Sequence, residues 1–367
     1  MSRAAVVCGL GGALPATAVT NEELAARLDT SDQWIRTRTG IGLRYVVAPG
    51  ESTSDLAVAA GERALESARR TGNANDTETD VDLVVLATST PDRPCPGTAP
   101  GVAHRLGLGT VPAFDVAAVC TGFVYALATA ASMITAGVAR RALVIGADTF
   151  STILDPVDRT TRAIFGDGAG AVVLRAGESG EPGALLGFDL GSDGGGADLI
   201  TVRAGGSRQR STGEPPAEGD QYFAMEGRPV FTEAVINMSE SSQRLLDRVG
   251  WTAGDLDKVV AHQANVRILH AVGEQLGLEE KQIVVNLDRV GNTVAASIPL
   301  ALSDAAASGD LVPGHRVVLT GFGGGLTWGS AALVWPDIEP VTQPKPVPPK
   351  SQLTSHTTHF TQFRSQS

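Results

Sequence analysis

Cysteine is scarce: Cys8, Cys95 and Cys120 are the only three in 367 residues. Three cannot build a disulfide framework, and no CxxC pair or His/Cys cluster suggests a metal site. Long apolar runs are missing as well. No stretch reaches 18 apolar residues, so no membrane-spanning helix is expected. The N-terminal MSRAAVVCGLGGALP has one arginine and a short apolar run broken by glycine. It reads as a first strand and turn, not a secretory signal. The expectation is a soluble protein in a reducing, cytoplasmic setting. Positive charge is in deficit, with 29 Lys and Arg against 40 Asp and Glu, net −11. A chain that neutralises phosphates should carry the opposite sign, which excludes nucleic acid as a partner.

What the chain does have is apolar mass and glycine. Hydrophobic residues make up 43% and charged residues 19%, enough for a large core and incompatible with global disorder. Glycine occurs 43 times, nearly twice the usual share of about 7%. The length suits two domains, or one duplicated one, at roughly 100–200 residues each. Short β-branched runs alternate with alanine-rich helical stretches. The strand candidates are Val81–Ala87, Ala142–Gly146, Gly168–Leu174, Val259–Ala261 and Val317–Thr320. Continuous apolar strands between helices mean an α/β fold with strands covered on both faces. Helices are predicted at Ser54–Ala68 and Thr121–Ala136, the second almost free of charge and therefore central.

An internal repeat is visible. DLVVLA from Asp82 matches DKVVAH from Asp257, and RRALVIGAD from Arg140 matches HRVVLTGFG from His315. Each is followed by a glycine-broken apolar strand. The spacing is about 175 residues, which predicts two similar halves, 1–175 and 176–335. Residues 336–367, with five prolines between Pro340 and Pro349 and then Ser, Thr and Gln, read as a disordered tail. Gly191–Gly219 reads as a long loop.

Chemistry concentrates at predicted strand ends, where α/β sheets form sites. Cys120 ends FDVAAVC and precedes a helix, where the dipole and unpaired amides should lower a thiol pKa. His262 stands where VVAHQAN leaves its strand. Asn292 sits in a glycine-led turn, GNTVAAS. Gly321–Gly325 follows another strand, and glycine there lets backbone amides approach an oxyanion. Each alone has a plain structural reading, as core cysteine, core histidine, turn asparagine or tight turn. Cys8, inside its strand, is read as core.

Six ordered stretches carry a resemblance: TSDQWIRTRTGI, FDVAAVCTGF, IFGDGAGAVVL, HQANVRI, GNTVAASIP and GFGGGLTWGSA. From near Arg3 to about Trp335 the chain resembles β-ketoacyl-[acyl-carrier-protein] synthase III, a thiolase-superfamily condensing enzyme. The resemblance implies a duplicated five-layer α/β/α/β/α fold, a homodimer and no cofactor beyond a CoA thioester substrate. It implies an acyltransferase in which Cys120 takes an acyl group from acyl-CoA, the Cys120 and Gly324 amides form the oxyanion hole, and His262 and Asn292 assist decarboxylation of a malonyl carrier-protein thioester. Fatty-acid or polyketide-type initiation would follow. Trp34, Arg38 and Arg159 look like the CoA adenine clamp, Asn265 like a pantetheine contact, and Arg228 and Arg267 like carrier-protein contacts. Elongating synthases place a histidine at the position of Asn292, and thiolases place a cysteine in the glycine-rich motif. Hydroxymethylglutaryl-CoA synthases need an acidic base, for which Thr88–Asp92 offers only Asp92.

Two departures from the family stand out. Lysines common on the helix after HQANxRI are Glu274 and Gln275 here, and another is Thr232, which thins the basic docking patch. Cys95 occupies the place where the family usually has a phenylalanine that closes the acyl pocket across the dimer. A smaller side chain leaves space, so a primer larger than acetyl is expected. Three other readings compete. A nicotinamide oxidoreductase is disfavoured because CGLGGALP lacks GxGxxG spacing. A non-condensing acyltransferase would pass the acyl group from Cys120 to a hydroxyl or amine. A silent binding subunit would not need the complete triad.

Overall fold

The computed structural model describes residues 2–71 and 80–341. The first half is built on a five-stranded sheet. Its strands are β1 (Arg3–Ala13), β2 (Leu83–Ala87), β3 (Ala113–Val116), β4 (Arg141–Asp148) and β5 (Gly168–Glu178), in the spatial order β1-β5-β4-β2-β3. A four-stranded sheet carries the second half. It comprises β6 (Leu185–Ser192), β7 (Lys258–Ala261), β8 (Arg316–Gly323) and β9 (Thr327–Val334), in the order β7-β8-β9-β6. In both sheets the antiparallel pairs lie at one side and the parallel pairing at the other, two parallel pairs in the first sheet and one in the second.

Helices complete five layers. α2 (Thr53–Thr71) covers the outer face of the first sheet, where its small residues Ala57, Ala60 and Ala64 are fully buried. α3 (Gly122–Thr135) and α6 (Ser297–Ser308) lie between the sheets and share one core with both. α4 (Gly227–Val249) and α5 (Val266–Gln275) cover the second sheet. α3 carries no charged residue, and most of it is buried between the sheets, with only Ser132 and Thr135 near its C-terminal end exposed. The duplicated five-layer α/β/α/β/α architecture is the one expected.

The halves repeat in register. Val84 pairs with Leu143, and Val259 with Val318, each partner 175 residues further on. Asp82 donates its N–H to Arg141 O and accepts from Arg141 N; Asp257 does the same with Arg316. The counterpart of β3 has shrunk to one parallel bridge, Val259 to Ile283. Both halves also contain a valine forced into the left-handed region, Val119 at φ 45° and Val294 at φ 54°. A β-branched residue rarely sits there, so surrounding contacts must hold each one. Each strained turn rests on the other half's sheet. At Gly146 of β4 a Cβ would overlap the Ala295 carbonyl; at Gly321 of β8 it would lie 3.6 Å from Cys120 O.

Two boundaries differ from the expected ones. β5 runs on to Glu178, past residue 175, because its last residues still pair with Arg3–Ala5 of β1. The segment Pro336–Val341 is part of the body. Ile338 is buried, Glu339 O accepts from Ser67 Oγ, and Val341 bridges to Gly11. The rest of the proposed tail lies outside the described residues. The predicted Gly191–Gly219 loop contains a 3-10 stretch (Gly194–Leu199), a strand (Ile200–Val202) and a helical turn (Ser207–Arg210).

Candidate active site

Cys120, His262 and Asn292 line one narrow apolar cavity of about 40 Å³. It is lined also by Val119, Ile200, Met225, Met238 and Phe322, and by Phe150, Phe165 and Phe223. The three rings pack on one another at centroid distances of 4.7, 4.9 and 5.1 Å. Sequence strand ends thus meet at a single point.

Cys120 lies in the 3-10 turn Val119–Thr121 that feeds α3. A lowered thiol pKa was expected from the helix terminus. The reverse holds: burial pushes the thiol well up, the nearby Asp148 charge adds to this, and its own backbone amide opposes both weakly. Desolvation outweighs the dipole because the thiol faces apolar walls. The resting nucleophile is a neutral thiol. Alkylation by iodoacetamide, followed by mass spectrometry of the Cys120 peptide, should therefore rise about tenfold per pH unit through pH 9. A plateau below pH 8 would mean a preformed thiolate.

His262 is buried, and burial pulls its pKa down to about 3. It is neutral throughout the working range. Nδ1 lies 2.6 Å from Ser297 Oγ, and the Gln263 amide points at the same oxygen from 3.4 Å. In the tautomer where Ser297 Oγ donates to Nδ1, Nε2–H is left as the donor. Asn292 is fixed in a similar way. Its backbone joins Ile164 O and Gly166 N, and its Oδ1 accepts from Val294 N at 2.9 Å. Nδ2 is left to donate, and among the described residues it has no partner. The site thus offers two neutral donors and no base, which suits stabilisation of an enolate.

Two amides have no backbone acceptor among the described residues, that of Cys120, which faces its own thiol, and that of Gly324. Beside them a Cβ at Gly323 would lie 2.8 Å from Cys120 N. Glycine is needed there to keep that amide open.

A second cluster forms on α1 (Asp32–Thr39). Arg38 and Arg159 both stack on the Trp34 ring, with guanidinium carbons 5.0 and 5.3 Å from its centroid, and Asp29 O accepts from Arg159. Asn265 has a structural task. It caps α5 by accepting from Arg267 N and donates to Arg38 O, which leaves one Nδ2 hydrogen for a ligand. Arg228 stands in the first turn of α4, and Arg267 lies over Phe231 at 5.9 Å. Cys95 is exposed on the loop after β2 and does not line the cavity. Sequence reasoning missed the three phenylalanines, Ser297 and Asp148. Asp92, the one acidic candidate in Thr88–Asp92, accepts from the Ser54 amide at the start of α2.

Layered fold and thiol, imidazole and amide at converging strand ends together define a thiolase-like condensing enzyme. Comparison with known proteins narrows the class. The profile for 3-oxoacyl-[acyl-carrier-protein (ACP)] synthase III matches residues 114–194, and its C-terminal counterpart matches residues 246–335. β-Ketoacyl-[acyl-carrier-protein] synthase III 5 of Streptomyces coelicolor is 62% identical over 92% of this chain and 99% of its own length. The synthase III of Pseudomonas aeruginosa is 56% identical over 93% and 99%. A crystal structure of the synthase III from Pseudomonas aeruginosa superposes with a TM-score of 0.84 at 55% identity, covering 92% of this chain and 100% of the other. A priming β-ketosynthase from a polyketide biosynthetic pathway gives 0.84 at 33%, covering 93% and 98%. The chain belongs to the β-ketoacyl-[acyl-carrier-protein] synthase III family.

Proposed function

We propose that this enzyme condenses a short acyl-CoA primer with a malonyl carrier-protein thioester, releasing carbon dioxide and a β-ketoacyl product. The observation that carries this reading is the meeting of Cys120, His262 and Asn292 on one water-poor cavity. Trp34, Arg38 and Arg159 hold the CoA adenine by stacking, and the pantetheine arm runs inward past Asn265. The Cys120 sulfur attacks the thioester carbonyl. Its bond to carbon forms, the bond to the CoA sulfur breaks, and the thiol proton leaves with CoA. Negative charge on the carbonyl oxygen is met by the Cys120 and Gly324 amides, each lowering the barrier by on the order of 3 kcal/mol.

The malonyl thioester then enters on its carrier, guided by Arg228 and Arg267. Loss of carbon dioxide leaves an enolate whose oxygen accepts from His262 Nε2–H and Asn292 Nδ2–H. The nucleophilic carbon attacks the acyl carbonyl, the new C–C bond forms, and the bond to Cys120 breaks. Residues of this chain supply every group in the scheme, so we propose no metal or redox cofactor. We also propose that the enzyme works as a homodimer.

Primer length follows from the cavity. About 40 Å³ holds roughly three water-sized groups, enough for a thioester carbonyl and a short alkyl group. Incubation with labelled acyl-CoAs of increasing length and malonyl carrier protein tests both parts. Acetyl- or propionyl-CoA should give ketoacyl product and carbon dioxide, and medium chains should fail in direct competition. Phe223→Ala should extend acceptance by a few carbons. Acyl-enzyme without carbon dioxide would instead support transfer to a hydroxyl or amine, and a preference for medium chains would refute the length limit.

A further inference from the structure

The buried carboxylate of Asp148, at the end of β4, belongs to none of the chemical steps above. It is fully enclosed and contacts both halves of the chain. Its Oδ1 accepts from Ser89 N at 2.7 Å, Thr90 Oγ1 at 3.0 Å and Thr88 Oγ1 at 3.3 Å. Thr90 Oγ1 also accepts from the Thr149 amide. The other oxygen, Oδ2, accepts from Ala295 N at 3.0 Å in the second half. Four donors converge on one carboxylate in a dry interior, although burial still pushes it up to about 7.

The Ala295 amide matters because of its position. It follows Val294, whose φ of 54° is held against steric preference. Val294 N donates to Asn292 Oδ1, so consecutive amides of one strained turn are held by Asn292 and by Asp148. The same turn in the first half has no such clamp. Position 323 corresponds to 148, and it is a glycine whose absent side chain leaves the Cys120 amide open. One half clamps its turn, and the other exposes it.

We propose that Asp148 is a positioning residue for the decarboxylation step: by clamping the Val294–Ala295 turn from the opposite half, it aims Asn292 Nδ2 at the enolate oxygen. Without the clamp Val294 relaxes towards an ordinary φ, Oδ1 of Asn292 loses its anchor, and the amide rotates. Acylation of Cys120 uses other amides, and loss of the Asp148 charge, which pushes the thiol up, does not by itself slow it. The proposal rests on the condensation reading above.

Asp148→Asn and Asp148→Ala are the test, in the full chain. Asparagine keeps the volume but places an NH2 against either Ala295 N or the Ser89 and Thr cluster, so one tie is lost. For Asp148→Asn, labelled acyl-enzyme should form within about threefold of the parent rate, while carbon dioxide release from malonyl carrier protein falls at least tenfold. Adding Asn292→Ala should cost little more, because both changes remove the same aimed donor. Equal loss in both steps, or fully additive losses, would overturn the proposal. A crystal structure of Asp148→Asn gives a readout that needs no activity and covers the case in which the alanine variant does not fold. Where the tie from Ala295 N is lost, Val294 should have left the left-handed region with Asn292 rotated; an unchanged turn with that tie broken overturns the clamp. If the parent enzyme itself releases no carbon dioxide, the condensation reading fails, and the same crystal structure still decides the clamp.

Discussion

Cys120→Ala should abolish the covalent acyl adduct and lower condensation to below detection, with the fold intact. The change removes one buried sulfur from a cluster of Phe150, Leu154, Phe165, Phe223 and Val294. A small cavity of that kind costs about 1 kcal/mol, far less than a folded domain holds in reserve. The readout is intact-protein mass spectrometry after incubation with acyl-CoA: the parent gains one acyl mass and the variant none. Carbon dioxide release should survive in part, because His262 and Asn292 are untouched. A stable adduct on the alanine variant would move the nucleophile elsewhere. Cys120→Ser separates geometry from reactivity, since a hydroxyl in the same place is a far weaker nucleophile toward a thioester.

Asn292→Ala should split the two half-reactions. Acyl-enzyme should form within a few-fold of the parent rate, while decarboxylation falls about 10²–10³-fold, the loss expected for one preorganised donor to a developing oxyanion. The alanine change also removes the acceptor for Val294 N, so a control is needed. Asn292→Asp keeps that acceptor and replaces the NH2 donor with a second oxygen. If the missing donor is responsible, aspartate should be at least as slow as alanine in decarboxylation. If the turn is responsible, aspartate should recover most of the rate. An equal fall in acylation and decarboxylation would mean that Asn292 serves the whole site and not the enolate. His262→Ala should follow the same pattern, with its neutral Nε2–H as the donor lost.

Much of this was legible in the sequence, for local reasons. Continuous apolar runs such as LVVLA and ALVIG announce buried parallel strands, and a charge-free helix after Cys120 announces a central position. The repeat survived because paired strands and the turns on them constrain one another, down to Asp82 and Asp257 making the same bonds. Cys120, His262 and Asn292 were readable because each stands where a strand or turn pattern breaks. The cavity wall was not. Phe150, Phe165 and Phe223 come from three separate stretches, and nothing local in FST, IFG or YFA distinguishes a pocket floor from ordinary core. Cys95 drew attention through a family departure, but its exposure on a loop could be seen only in three dimensions. The sign of the Cys120 shift failed because helix position is local and desolvation depends on the whole surroundings. Asn265 likewise proved to be a helix cap as much as a candidate ligand contact.

The paired strained turns have one further consequence. A duplicated chain starts with two equivalent corners, each resting on the other's sheet, and nothing in such a fold makes one of them reactive. Here the corners have diverged by one exchange in each pair, cysteine against alanine at 120 and 295, and glycine against aspartate at 323 and 148. A carboxylate occupies one corner's amide, and the opposite corner's amide stands empty for substrate. The enzyme is thus a covalent pseudo-dimer in which one copy has given up reactivity to become the other's template. Restoring a cysteine at 295 alone would not create a second centre, because Asp148 already holds the amide that a second oxyanion would need.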